Sequence, residues 1–207
     1  MGEGLITRRN SSGVLIEFKN YYNSVEGLTY STPTALSAAR YDLAGASVGD
    51  YALFAGGYAG GGASNVVDAY NTSLTRSTPT ALSAARYDLA GASVGDYALF
   101  AGGYAGGGAS NVVDAYNTSL TRSTPTALSA ARYDLAGASV GDYALFAGGY
   151  AGGGASNVVD AYNTSLTRST PTALSAARYD LAGASVGDYA LFAGGYAGGG
   201  ASNVVDA

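Results

Sequence analysis

The chain contains no cysteine, no histidine and no tryptophan among its 207 residues. Without cysteine there is no disulfide framework, no thiolate nucleophile and no cysteine-based metal site. Without histidine the chain lacks the commonest general base and the usual ligand for zinc, copper and iron. Aspartates such as Asp42, Asp50 and Asp68 recur in identical copies, which do not build one asymmetric acid–base pair. We therefore predict that the protein is not an enzyme and needs no cofactor or metal.

Charged residues are also scarce, at 12% of the chain with a net charge of −5. Apart from Arg8 and Arg9 the basic residues stand singly, so the basic patch that nucleic-acid binding requires is missing. No apolar run approaches the roughly 20 residues that span a bilayer, and the amino terminus lacks the apolar core of a signal peptide. We expect a cytoplasmic protein without nucleic-acid or membrane partners, with assembly into a phage particle left open.

Glycine and tyrosine are abundant instead, and both belong to a repeat with a period of 46 residues. The stretch YALFAGGYAGGGAS begins at Tyr51 and returns unchanged at Tyr97, Tyr143 and Tyr189. The four units cover residues 31–76, 77–122, 123–168 and 169–207, and they are identical wherever they overlap. With 47% hydrophobic residues, such an array can bury a core despite its 32 glycines.

One unit predicts four short strands. They are Tyr41 to Val48, Tyr51 to Ala55, Asn65 to Tyr70 and Leu74 to Thr78, with a tight turn at Gly49 and Asp50. The second strand, YALFA, is apolar on both faces, so it must be covered on both sides. The first strand has small residues at AGAS, which suit a place where several sheets crowd together. These features predict small sheets that stack on two neighbours each.

A unit of this length and pattern resembles a kelch repeat, which is one four-stranded blade of a β-propeller. The resemblance is carried by YALFA, by the doublet Gly56-Gly57, by the pair Tyr70-Asn71 and by LSAARYDLAG with its basic Arg40. The tryptophan usual in kelch repeats is absent. The resemblance implies an all-β β-propeller of four-stranded antiparallel blades, four of them in this chain. An open stack of sheets, a β-solenoid, is the alternative.

The ends of the chain determine how such a ring would close. We predict a tail over residues 1–13 and closing or extending strands over 14–30, with VLIEFK (Val14 to Lys19) as one strand. The stretch YNSVEGLTY (Tyr22 to Tyr30) resembles YNTSLTR of the repeat and can supply the fourth strand of the last blade. Closure within one chain and a homodimer forming an eight-blade ring both remain open.

The kelch resemblance also predicts a binding face. It implies that the segment entering each blade and the loop after the glycine doublet share one face. Arginine and tyrosine are enriched at binding hot spots. The predicted binding residues, one set of four in each repeat, are Arg40, Tyr41, Asp42, Tyr58, Arg86, Tyr87, Asp88, Tyr104, Arg132, Tyr133, Asp134, Tyr150, Arg178, Tyr179, Asp180 and Tyr196.

An arginine–aspartate pair between blades, with tyrosine packed beside it, is the structural alternative for these residues. We expect a non-enzymatic scaffold that binds a protein or glycan through this face. Two other interpretations stay open: a multivalent lectin, and a purely structural or engineered repeat protein without a ligand.

Overall fold

The computed structural model describes Ile6–Arg9, Leu15–Phe18 and residues 32–207, which form two compact units. In the first unit, Ile6–Arg9 pairs antiparallel with Leu15–Phe18. The second of these strands lies within the predicted VLIEFK strand, and the first falls in the range predicted as a tail. The predicted closing segment Tyr22 to Tyr30 lies outside the described residues.

The second unit, Pro33–Ala207, is built only from strands and turns in its described residues. It contains one antiparallel sheet for each repeat, which we number 1 to 4. Within the described residues, no helix is long and apolar enough to cross a membrane. The prediction of an all-β chain with repeated four-stranded antiparallel sheets is confirmed.

The strands of each sheet follow one another in chain order. The first strands are Ala44–Val48, Ala90–Val94, Ala136–Val140 and Ala182–Val186. The second strands are Tyr51–Ala55, Tyr97–Ala101, Tyr143–Ala147 and Tyr189–Ala193. The third strands are Val67–Asn71, Val113–Asn117, Val159–Asn163 and Val205–Asp206. The fourth strands, present in sheets 1 to 3, are Arg76–Ser77, Arg122–Ser123 and Arg168–Ser169.

A two-stranded hairpin follows each glycine doublet, where the sequence predicts a loop. In the first repeat Tyr58–Ala59 pairs with Gly62–Ala63. The others are Tyr104–Ala105 with Gly108–Ala109, Tyr150–Ala151 with Gly154–Ala155, and Tyr196–Ala197 with Gly200–Ala201. The doublet is needed because Gly56 and Gly57 have φ of +70° and +99°, where a side chain is strained.

Consecutive sheets stack through their apolar faces. Between sheets 1 and 2, Leu53 and Val67 of sheet 1 share a buried cluster with Phe100 and Tyr116 of sheet 2. Equivalent residues join sheets 2 and 3 and sheets 3 and 4. Burial of a phenylalanine of this kind contributes about 1.5–3 kcal/mol. The two-sided apolar second strand is therefore explained by a neighbour on each side.

The first strands of neighbouring sheets lie in very close contact. A Cβ added at Gly91 would meet the carbonyl oxygen of Gly45 at 2.2 Å, so only glycine fits there. Two residues further along each strand, the Ser93 hydroxyl donates to the Ser47 carbonyl oxygen at 2.7 Å. This spacing explains the run of small residues in the first strand.

Candidate functional site

The predicted arginines lie on the segment before the first strand of each sheet, and their side chains are buried. We call Arg40, Arg86, Arg132 and Arg178 the lead arginines; each has no exposed side-chain surface. Each guanidinium pairs with the aspartate 28 residues further along the chain. We call these partners the strand aspartates, Asp68, Asp114, Asp160 and Asp206.

The pair in sheet 2 shows how these arginines are held. Nη2 of Arg86 donates to Oδ2 of Asp114 at 2.5 Å, and Nη1 donates to the carbonyl oxygens of Gly102 and Val112 at 2.6 and 2.7 Å. The Ser83 amide also donates to Asp114. Burial lowers the pKa of Arg86, and the nearby Asp114 opposes that shift.

The prediction that the lead arginines lie on the binding face is therefore wrong. A guanidinium without exposed surface cannot reach a ligand, and these donors are directed at a carboxylate and carbonyl oxygens inside one sheet. The arginine and its aspartate belong to the same repeat, but the backbone of the arginine is hydrogen-bonded to the preceding repeat: the Arg86 amide donates to the Ser64 carbonyl oxygen, and the Arg86 carbonyl oxygen accepts from the Gly57 amide.

The predicted tyrosines do share one face. The amide of Tyr58 donates to the carbonyl oxygen of Tyr41 at 2.7 Å, and the reverse bond is 3.2 Å. This bridge joins the entering segment to the hairpin after the doublet, and it recurs in every repeat. The entering segment and the hairpin therefore lie side by side, as the resemblance implied.

Eight tyrosines form a continuous row across the four repeats, which we call the tyrosine strip. Adjacent ring centroids are 5.2–5.5 Å apart, alternating between tilted contacts within a repeat and edge-to-face contacts between repeats. Such geometries are favourable for aromatic pairs. The strip consists of Tyr41, Tyr58, Tyr87, Tyr104, Tyr133, Tyr150, Tyr179 and Tyr196. Its two ends are the most open: Tyr41 is 60% and Tyr196 is 44% exposed.

Next to the strip, four aspartates line one cavity. We call Asp42, Asp88, Asp134 and Asp180 the cavity aspartates; with the leucine that follows each, they enclose about 280 Å³. Each has a φ of 52–54°, a conformation that aspartate tolerates better than most residues. The amide of Asp88 donates to the carbonyl oxygen of Asp42 at 3.0 Å, and the same bond links each later pair. The segments that carry these carboxyls are therefore hydrogen-bonded from sheet to sheet.

Burial and neighbouring carboxylates change the acidity of two of the cavity aspartates, Asp88 and Asp134. Burial, followed by the charges of Asp42 and Asp180, raises the pKa of Asp88 to about 6. Burial and the other three carboxylates raise the pKa of Asp134 to about 7. Desolvation and then the charge of Asp88 also raise the pKa of Tyr87, so its phenol stays protonated at neutral pH. Within the described residues, no group of three or more aspartates or glutamates is arranged to hold a metal ion.

Sequence comparisons give no relatives: no protein-family model and no curated protein matches the chain. A comparison of folds does find similar solved structures. The chain is similar to a solved structure described as "Structure of YjhT", with a TM-score of 0.71 and 14% sequence identity. The alignment covers 96% of this chain and 75% of that one. At this identity the likeness concerns the fold alone.

Proposed function

We propose that the protein is a non-enzymatic scaffold that binds a partner protein through the tyrosine strip and the cavity aspartates beside it. The observation that carries the proposal is the continuity of the strip. Eight partly exposed rings form one surface that crosses all four repeats, and tyrosine is among the residues most enriched at binding hot spots. Contacts that are weak in one repeat would add over four.

The chemistry of this surface favours a partner segment rich in lysine or arginine. The face combines aromatic rings with four carboxyls, and the arginines that could have balanced them are buried. A cation over an exposed tyrosine ring contributes about 0.5–1 kcal/mol. A nearby cation also favours the ionised carboxylate, so binding would release protons from Asp88 and Asp134. Affinity for a basic segment would then rise between pH 6 and pH 8.

A glycan is the second candidate ligand, favoured by the exposed rings of Tyr41 and Tyr196 at the ends of the strip. A lectin would use these rings to stack on sugar rings. The purely structural protein is the third interpretation. All three share the proposed architecture, in which the four sheets are blades of a kelch-like β-propeller. Support for that architecture comes from the four-stranded order, the close contact of the first strands and the fold of YjhT.

The test compares two four-fold tyrosine variants on peptide and glycan arrays. The first carries Tyr→Ala at positions 58, 104, 150 and 196 of the strip. The matched control carries the same change at positions 51, 97, 143 and 189, the tyrosines that begin the second strands. We expect saturable binding to Lys/Arg-rich peptides that the first variant loses and the control keeps.

Three other outcomes would separate the interpretations. Binding to a glycan that only the strip variant loses would favour the lectin. Equal loss in both variants would indicate a general effect on folding, which thermal unfolding of each variant would report. Absence of binding to either array by the parent protein would overturn the proposal in favour of a structural role.

A further inference from the structure

Each junction between two consecutive sheets joins the trailing face of one sheet, which is the face towards the next sheet, to the leading face of the sheet that follows. The three junctions are built from equivalent residues. At the first junction, the trailing face of sheet 1 contributes residues such as Val48, Leu53 and Val67. The leading face of sheet 2 contributes Leu82, Leu89, Ala98, Phe100, Tyr116 and Leu120. The second and third junctions repeat this pairing with equivalent residues. The structure thus shows three times what a trailing face binds: the leading face of the next sheet.

Sheet 1 has a leading face on which no sheet of the second unit packs. The residues equivalent to the six above are Leu36, Leu43, Ala52, Phe54, Tyr70 and Leu74, and they all line one apolar groove of about 730 Å³. Phe54 is 37% exposed, whereas its equivalent Phe100 is completely buried. The groove is therefore a leading face that lacks the trailing face packed against its equivalents at the internal junctions.

The backbone at Leu74 supports this interpretation. Leu74 and Leu120 both have φ near +57°, a conformation that is strained for leucine. Leu120 packs against the cluster of sheet 1, which explains why leucine is kept there. Leu74 has the same strained backbone but is half exposed. Its side chain is placed for a neighbouring sheet that the described residues do not supply.

Sheet 4 has the converse feature, an exposed trailing face. Val186 is 62% exposed, whereas its equivalent Val48 is 3% exposed. Val205 is 59% exposed, whereas its equivalent Val67 is buried. The whole first strand of sheet 4 is exposed. This face carries the residue types that receive a leading face at each of the three junctions.

We propose that the leading face of sheet 1 binds the trailing face of sheet 4 of a second copy of this chain. A second copy is the expected occupant because the two free faces carry the same residue types as the faces that pack together at the three internal junctions. Polar groups would be satisfied as well, since the Ser47 hydroxyl would reach the first strand of the second copy as Ser93 reaches Ser47. The contact is heterologous, so two chains that form it in both directions make a closed ring of eight sheets.

Gly45 offers a substitution that separates this contact from folding. An alanine Cβ at residue 45 would lie 3.7 Å from its nearest neighbour, on Phe54, which is an ordinary contact. At each internal junction, however, a Cβ on the equivalent glycine would lie 2.2–2.3 Å from a carbonyl oxygen of the preceding sheet. Gly45→Ala should therefore leave the single chain intact and prevent the second copy from docking.

The experiment measures mass by light scattering over a concentration series, with the full chain throughout. Two variants and their mixture are compared with the parent: Gly45→Ala on the leading face, Val186→Glu on the trailing face, and the two single variants mixed. Controls are Gly62→Ala, where no atom lies within 4 Å of the added Cβ, and Ser119→Glu at an exposed turn of sheet 2. Should Gly45→Ala fold poorly, Ala52→Glu blocks the same face.

We expect the parent and both controls to reach twice the 20.5 kDa mass of one chain, and each face variant alone to stay at 20.5 kDa. The mixture should return to twice that mass, because one variant keeps a trailing face and the other keeps a leading face. A parent that stays at 20.5 kDa at every concentration would overturn the proposal. So would face variants that still associate, or a mixture that does not.

Discussion

Sheets 2 and 4 have the same sequence over the positions they share, yet their surroundings differ. The first strand of sheet 2 is buried at alternate residues, whereas that of sheet 4 is exposed throughout. Ala98 lies on the leading face of sheet 2, and Ala190 lies on the leading face of sheet 4. Both are buried, because each of these sheets has a neighbour on that side. Burial in this protein is thus a property of the junction and not of the repeat, and the same substitution should have different effects in different sheets.

The largest expected effect is the loss of stability when the arginine of a buried ion pair is replaced, and we expect it to differ between sheet 2 and sheet 4. Arg86→Met removes the buried partner of the completely buried Asp114, which keeps only the contact with Arg122 at 3.3 Å, and should lower the free energy of unfolding by about 3 kcal/mol. Arg178→Met should cost less, because the side chain of Asp206 is 20% exposed and water can replace the lost partner. Urea denaturation of the two variants measures the difference.

A double variant tests the cause of that loss. Arg86→Met combined with Asp114→Leu removes both charges, so it should recover part of the stability lost by the single change. If Arg86→Met and Arg178→Met were equally destabilising, the solvent exposure of the aspartate would not be the deciding factor.

The next effect compares one phenylalanine in two settings. Phe100→Ala empties a buried site and should cost about 3 kcal/mol. Phe54→Ala, on the open leading face of sheet 1, should cost about 1 kcal/mol, because the ring already contacts water there. Both are measured by urea denaturation at concentrations where light scattering shows single chains. Equal losses under those conditions would mean that the leading face is covered within one chain.

Sequence patterns could predict the regular part of this architecture. The second strand, Tyr51–Ala55, is found where it was predicted, because a turn at Gly49-Asp50 and a glycine doublet bound it. The first strand begins three residues later than predicted. Asp42 has a positive φ, which interrupts the extended backbone and leaves only an isolated bridge at Tyr41. The short hairpins were missed because two-residue strands carry no periodic signal.

The candidate site could be predicted only in part. The kelch resemblance implies that Tyr41 and Tyr58 share one face, and the structure has them side by side. The pairing of Arg40 with Asp68 spans 28 residues and depends on how three segments fold together. Local pattern carries no information about such a contact. The repeats add no signal, because they are identical and every pair of residues in them recurs at a fixed spacing.

The smallest expected effect is a change of stability with pH caused by two cavity aspartates of the inner sheets, Asp88 and Asp134. The folded-state pKa values of Asp88 and Asp134, about 6 and about 7, lie above the ordinary value of 3.8. The folded state therefore binds more protons than the unfolded state between these values. The stabilising contribution is complete below about pH 4 and is lost as pH rises towards 7. The chain has no histidine, so no imidazole titrates in this window.

Replacing both carboxyls by amides should remove this loss. Asp88→Asn with Asp134→Asn should raise the free energy of unfolding at pH 8 by about 1 kcal/mol, a modest gain because both side chains are half-buried and water screens their repulsion. At pH 4 the variant and the parent should be equally stable. Asp96→Asn with Asp142→Asn, in exposed turns of the same two sheets, removes the same charge and should leave the pH dependence unchanged. A parent whose stability rose from pH 4 to pH 7 as steeply as that of the variant would mean that the four carboxyls do not repel one another in the folded chain.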